Sequence, residues 1–150
     1  MTFISHKKRI IFVGIPRTGT TSIHQNLLYT NDIENNFTQD SNKSRHLKIS
    51  DISRLDLKYA LSEYTTFSVL RNPWCRYASF AQWVLAVLDN KGLKDTIEYE
   101  FCLKLTEKHG RKPDIIIRYA MAGGQSQSDF ITINDEIVVS TLLKFENLKK

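Results

Sequence analysis

The chain has 150 residues, 41% of them apolar and 11% aromatic, with only six glycines and three prolines, which excludes a disordered, fibrous or collagenous chain and suits one compact domain. Twenty-one Lys and Arg against 16 Asp and Glu leave a net charge of +5, a modest excess that favours an anionic ligand without naming one. Two cysteines, Cys75 and Cys102, and no secretory signal read as reduced thiols in a cytoplasmic protein, and the apolar stretch near the N-terminus, ended by Gly14 and Pro16, is too short to span a membrane.

Arg9 to Ile15 is an apolar run of strand length, the pattern of a strand buried on both faces of a parallel sheet. A helix follows, capped by Thr20 or Thr21, with Ile23, Leu27 and Leu28 on one face. Residues 30–45 are rich in Asn, Asp and Ser and read as an exposed loop. Ser50 then caps a helix predicted to reach about Glu63, and "TFSVLR", 66–71, is a second buried strand. After Asn72 and Pro73 a long helix carries Tyr77, Phe80, Ala81, Val84, Leu85 and Leu88 at spacings of three and four; another, about 95–109, sets Ile97, Phe101 and Leu105 on a stripe. "DIIIRYAM" stays ambiguous between strand and buried helix, and "DFITINDEIVVSTLLKF" reads as two strands about an Asn134-Asp135 turn. The order strand, helix, helix, strand, helix predicts an α/β sheet with crossover helices.

Two strand-to-helix junctions carry the chemistry. In "FVGIPRTGTTSIHQNLL", 12–28, a glycine-bearing turn runs into a helix, where successive N–H groups and the positive end of the helix dipole make a site for an oxyanion. Gly14 and Gly19 have Walker A spacing, but Thr20 stands where its Lys would be, and the cation sits earlier, at Arg17. The plain structural alternative is a turn whose Gly and Thr serve only geometry and capping. In "FSVLRNPWCRYASF", 67–80, Arg71 ends a strand and Ser79 lies one to two turns into the next helix. Ligands of open α/β sheets lie beyond the carboxyl ends of the strands, so both junctions are predicted to face one crevice, with Arg71 and Ser79 offered to a second phosphate. Arg76 is read as an ordinary surface ion-pairing residue.

These residues resemble a family. "PRTGTTS" is similar to the loop that holds the 5′-phosphosulfate in sulfotransferases using 3′-phosphoadenylyl sulfate (PAPS), and "LRNPWCRYASF" resembles their 3′-phosphate motif. "QSQSDFITINDEIVVSTLLKFENLKK" is a weaker match to the closing segment of the carbohydrate branch, where a Gln-containing loop precedes a hairpin. The resemblance implies a P-loop-like three-layer sandwich with a central, mainly parallel sheet flanked by helices. It also implies in-line transfer of a sulfonate from PAPS to a hydroxyl or amine, with the hydroxyl of a carbohydrate as the leading acceptor. Pro16, Arg17, Thr18, Gly19, Thr20, Thr21, Ser22, Arg71 and Ser79 would then bind PAPS or the product 3′,5′-adenosine bisphosphate.

Many relatives carry Lys where Arg17 stands. Arginine scarcely ionises, so Arg17 suggests electrostatic stabilisation of the leaving oxygen rather than proton donation. His46, in "SRHLKISDI", resembles a Lys-His-Leu string of the carbohydrate branch and is the candidate general base, against a merely packing or capping role; Asp51 and Asp40 are alternatives. His24 and His109 are read as structural surface residues and His6 as part of the tail. Cys75 replaces the Asp usual in the motif, which puts helix capping in question rather than binding. Trp74, Tyr77, Phe80 and Trp83 could line a sugar or adenine surface, Tyr77 and Phe80 being read as core. Relatives usually continue past the stretch at "KFENLKK", so the expectation is a single domain over 1–150 without that helical continuation. Two other functions stay open, a P-loop nucleotide kinase or hydrolase and a noncatalytic nucleotide or anion-binding module. Scattered lysines argue against a nucleic-acid partner, and no His and Cys spacing resembles a metal site.

Overall fold

A computed structural model describes residues 2–28, 46–55, 57, 60–94, 96–123 and 126–148. The chain divides into two compact units, Met1–Arg71 with Gln125–Lys150, and Asn72–Gly124.

The first unit is built on a four-stranded sheet. Its strands are β1 (Phe3–Ser5), β2 (Ile10–Val13), β3 (Thr65–Leu70) and, from near the end of the chain, Thr141–Lys144, in the order in which they lie side by side. β1 runs antiparallel to β2, whereas β2 with β3, and β3 with Thr141–Lys144, are parallel. A mainly parallel α/β sheet was expected; β1, in a stretch read as a tail, was not. Three residues give no period to read, and β1 exists because Ile4 opposes Ile11 and Phe3 opposes Phe12.

Alternation sorts the side chains onto two faces. Phe3, Phe12, Phe67 and Val69 share one face, with Phe12 lying 5.3 Å from Phe3 and 4.9 Å from Phe67 between ring centroids. Ile23 of helix α1 (Thr20–Leu28) packs on that face. Ile4, Ile11 and Val13 point the other way, onto Ile49 and Ile52 of α2 (Ile49–Ile52) and onto Phe130 and Ile131. The loop 30–45 lies outside the described residues, as do the side chains of Leu27 and Leu28.

The helix predicted from Ser50 to Glu63 is one turn only. Lys48 caps α2, the Asp51 carboxylate accepts from the Lys48 N–H at 3.1 Å, and a separate 3₁₀ turn covers Leu61–Glu63. One turn suffices to bury Ile49 and Ile52, so tertiary packing rather than propensity sets its length.

The second unit is helical. α3 (Pro73–Asp89) starts where the Asn72 side chain accepts from the Trp74 and Cys75 N–H groups, at 3.0 and 3.3 Å. That cap replaces any service an Asp at position 75 would give, and Cys75 is an exposed free thiol. α4 (Ile97–His109) and α5 (Pro113–Gly123) complete it around Ala81, Val84, Leu88, Cys102, Leu105 and Ile116. The ambiguous "DIIIRYAM" is therefore helix, with Pro113 at its first position and Asp114 in its first turn. On α4 the buried stripe runs through Cys102, Leu105 and Thr106, and Phe101, predicted inward, is 47% exposed. Phe80 and Trp83 pack against this core.

Back in the first unit, the segment read as two long strands is α6 (Ser128–Ile131), a hairpin of β4 (Thr132–Ile133) and β5 (Glu136–Ile137), and β6 (Thr141–Lys144). The Asn134-Asp135 turn is present, both residues having positive φ, 52° and 66°, as a two-residue hairpin loop requires. Ser140 then joins β6 to β3: its N–H donates to Thr66 Oγ1 at 2.8 Å and its hydroxyl donates to the Thr66 carbonyl at 2.6 Å.

Candidate functional site

Because β2, β3 and β6 are parallel neighbours, with Val13 beside Ser68 and Leu70 beside Lys144, the chain leaves all three at one edge of the sheet. The segments that emerge there are Gly14–Gly19, Arg71 and Phe145. Ser68 ties the first two strands together, its buried hydroxyl donating to the Val13 carbonyl at 2.7 Å.

The first segment is held from below. The Gly14 N–H donates to Thr2 Oγ1 at 3.2 Å, and the Gly14 carbonyl meets His46 Nδ1 at 2.6 Å. A carbonyl only accepts, so Nδ1 carries the proton there and Nε2 is the basic nitrogen of the neutral ring. Thr2 Oγ1 also accepts from the Leu47 N–H at 3.1 Å, which fixes the backbone beside His46. Thr18 is fully buried and its hydroxyl donates to the Ile15 carbonyl at 2.9 Å, leaving its backbone, not its side chain, to a ligand. Arg17 and Gly19, on either side of it, have positive φ of 68° and 81°, the kind of backbone reversal from which anion-binding nests are built. Glycine is required at 19 twice over, since a Cβ there would lie 2.8 Å from Phe145 Cε2. Gly19 also takes the cap position expected of Thr20 or Thr21, its carbonyl accepting from the Ile23 N–H at 3.1 Å. Thr20 is buried in the first turn of α1, and Thr21 and Ser22 are exposed there.

Arg71 crosses to this loop. Its Nη1 donates to the Arg17 carbonyl at 3.1 Å, and its guanidinium carbon lies 4.5 Å from the centre of the Phe145 ring. Its backbone is gripped by Gln127, whose Oε1 accepts from the Arg71 N–H at 2.9 Å while Nε2 donates to the Arg71 carbonyl at 2.8 Å. Burial, and then the charge of Arg71, lower the pKa of Arg17. Two cations are thus held close together at a helix N-terminus, an arrangement that an anion stabilises.

The structure brings Arg17, Gly19, the first turn of α1, His46 and Arg71 to one edge of the first unit. Ser79 lies in α3 of the second unit, half-buried. Asp40 is outside the described residues, and the Asp51 carboxylate is engaged by the Lys48 N–H at the start of α2. Three other readings are corrected. Arg76 is buried rather than on the surface, its guanidinium 5.6 Å from the Tyr77 ring centre. His24 is buried rather than on a helix surface. His6 is no free tail residue: its Nδ1 hydrogen-bonds the Tyr64 hydroxyl at 2.6 Å. Gln127, Phe145 and Thr2 were not foreseen as parts of the site, since no local spacing links them to residues 12 to 126 positions away.

Among the described residues no group of three His, Cys, Asp or Glu is placed to hold a metal ion, and no helix is long and apolar enough to cross a membrane. A family model described as "Sulfotransferase family" matches residues 1–85, a span containing Arg17, His46, Arg71 and Ser79. Comparison with curated proteins and with solved structures gave no match.

Proposed function

Since the chain belongs to the sulfotransferase family, we propose that it moves a sulfonate group from PAPS to a hydroxyl acceptor, a carbohydrate, by in-line displacement on a P-loop-like three-layer fold. The observation that carries this reading is the hydrogen bond from Arg71 Nη1 to the Arg17 carbonyl, which joins the two phosphate-type junctions at one sheet edge. The residues fit a bisphosphorylated donor: Arg17, whose pKa is lowered by burial and then by the charge of Arg71, a loop with positive φ at Arg17 and Gly19, and the start of a nine-residue helix. PAPS, when bound, supplies the sulfonate and a good leaving group.

In this mechanism the N–H groups from Thr18 to Thr21, with the hydroxyls of Thr20, Thr21 and Ser22, hold the 5′ end beside Pro16. Arg17 stabilises the negative charge that grows on the bridging oxygen, and it does so as a fixed cation, because arginine retains its proton. Arg71 takes the 3′-phosphate. His46 receives the acceptor hydroxyl's proton at Nε2. Its Nδ1–H···O bond to Gly14 holds the ring in that tautomer and stabilises the imidazolium formed. The new bond joins acceptor oxygen to sulfur as the bond from sulfur to the bridging oxygen breaks.

Isothermal titration with 3′,5′-adenosine bisphosphate, with ATP and 5′-AMP as competitors, tests the donor site. The wild type is expected to prefer the bisphosphate, and Arg71→Ala to lose roughly 1.5 to 3 kcal/mol of binding, the worth of a charge-assisted hydrogen bond. Preference for ATP would point to a kinase or hydrolase, and a folded protein that binds no bisphosphate would sink the sulfonate-transfer reading. Transfer of labelled sulfonate from PAPS to a panel of glycans then tests the acceptor.

A further inference from the structure

We infer that Gln127 is a positioning residue that aims Arg71 and thereby sets the site's preference for a 3′-phosphate. The ligand named here rests on the sulfonate-transfer reading; the hold on Arg71 does not. β3 ends at Leu70, whose neighbour across the ladder is Lys144, so Arg71 is the first residue beyond the strand. There the Gln127 carboxamide accepts from its N–H and donates to its carbonyl, at 2.9 and 2.8 Å, the pair of bonds a neighbouring strand would otherwise make. Of the common planar side-chain groups only a carboxamide offers donor and acceptor together in this way; a carboxylate accepts but cannot donate.

The grip is itself anchored. Gln127 immediately precedes α6, whose Phe130 and Ile131 are buried in the core, and the Gln127 carbonyl accepts from the Phe130 N–H at 3.2 Å. Asp129 Oδ2 accepts from the Ser126 N–H at 2.8 Å, fixing the backbone on the other side. The chain leaves the first unit at Arg71 and returns at Gln125, so the same two bonds fasten the exit to the re-entry. The path of constraint runs from core to Gln127 to the Arg71 backbone. From there the guanidinium reaches the Arg17 carbonyl and the Phe145 ring. Gln127 acts through Arg71, whose backbone it holds.

The test compares wild type, Gln127→Ala and Gln127→Glu for binding of 3′,5′-adenosine bisphosphate and of 5′-AMP, alongside Arg71→Ala and the double variant. Expected is a drop of roughly tenfold in the bisphosphate-to-monophosphate affinity ratio in both Gln127 variants, with 5′-AMP itself changed by less than about twofold. The double variant should bind no more weakly than Arg71→Ala alone, as coupled residues require. Equal weakening of both nucleotides, an unchanged ratio, additive losses, or failure of both single variants to fold would overturn the positioning role. Hydrogen exchange of the Arg71 amide provides a readout without nucleotide. It should be protected in wild type and lose protection in Gln127→Ala; equal exchange overturns the inference. Were the wild type to bind neither nucleotide, the sulfonate-transfer reading would fail while the exchange comparison still decided the hold on Arg71.

Discussion

Replacing Gly19 with alanine separates two costs that the structure allows to be estimated individually. Gly19 and Gly110 have nearly the same left-handed φ, 81° and 79°, but different surroundings. A Cβ at Gly110 would meet nothing within 4 Å, whereas one at Gly19 would lie 2.8 Å from Phe145 Cε2 and 3.2 Å from Cδ2. Gly110→Ala therefore measures backbone strain alone, about 1 to 3 kcal/mol at φ 79° and ψ 165°, a region open essentially to glycine. Gly19→Ala adds overpacking, about 1 to 3 kcal/mol more, because the Phe145 ring has to move. That ring is the platform under the Arg71 guanidinium, and disturbing it forfeits a cation–π contact worth about 0.5 to 1 kcal/mol, or roughly a two- to fivefold loss of bisphosphate affinity. Urea unfolding followed by circular dichroism, with titration calorimetry on both variants, reads these quantities. The reasoning is refuted if Gly19→Ala costs no more stability than Gly110→Ala, or if its bisphosphate affinity equals that of wild type.

His46→Asn keeps a donor for the Gly14 carbonyl but has no basic nitrogen, so sulfonate transfer should fall by about 10²- to 10⁴-fold with bisphosphate binding retained; transfer at the wild-type rate would dismiss His46 as the base. Burial, with Glu98 second, pushes the Cys102 thiol up from 9.0 to about 11. A thiol reagent at pH 8 should then label only exposed Cys75 in the native protein, and two rapidly labelled thiols would contradict the packing. Because the unfolded chain releases the Cys102 proton first, native stability should decline as pH rises from 9.0 toward about 11, and Cys102→Ala should flatten that decline; an equal slope in the variant refutes the assignment. Asp135→Gly relieves a residue at φ 66° in the hairpin turn and should stabilise by about 0.5 to 1 kcal/mol, measured as a higher urea midpoint; a lower midpoint would show that Asp135 contributes more than its backbone shape.

The two junctions were legible because each is encoded within a few residues. An apolar run, a glycine turn and a helix start at Gly14–Thr20, and a strand ended by Arg71 before Asn72-Pro73, are local signals. Less legible were elements whose existence depends on distant partners. β1 is held by its register with β2, and α2 is cut to one turn by the pocket that takes Ile49 and Ile52. Histidine roles divided the same way: His46 was singled out by its neighbours in sequence, whereas the burial of His24 and the Tyr64 bond of His6 follow from packing alone.

From the sequence by itself came the α/β class, the mainly parallel sheet, the family, and the arginine in each junction, since propensity, periodicity and turn chemistry act over a few residues and leave a local record. Only the tertiary structure decided how those arginines meet. The parallel register of β2, β3 and β6 sets three strand ends side by side, so that Arg71 reaches the Arg17 carbonyl, Phe145 closes over Gly19, and Gln127, 56 residues along the chain, holds the Arg71 backbone. Those contacts form between segments far apart in sequence, and sheet register and core packing, not local preference, select them.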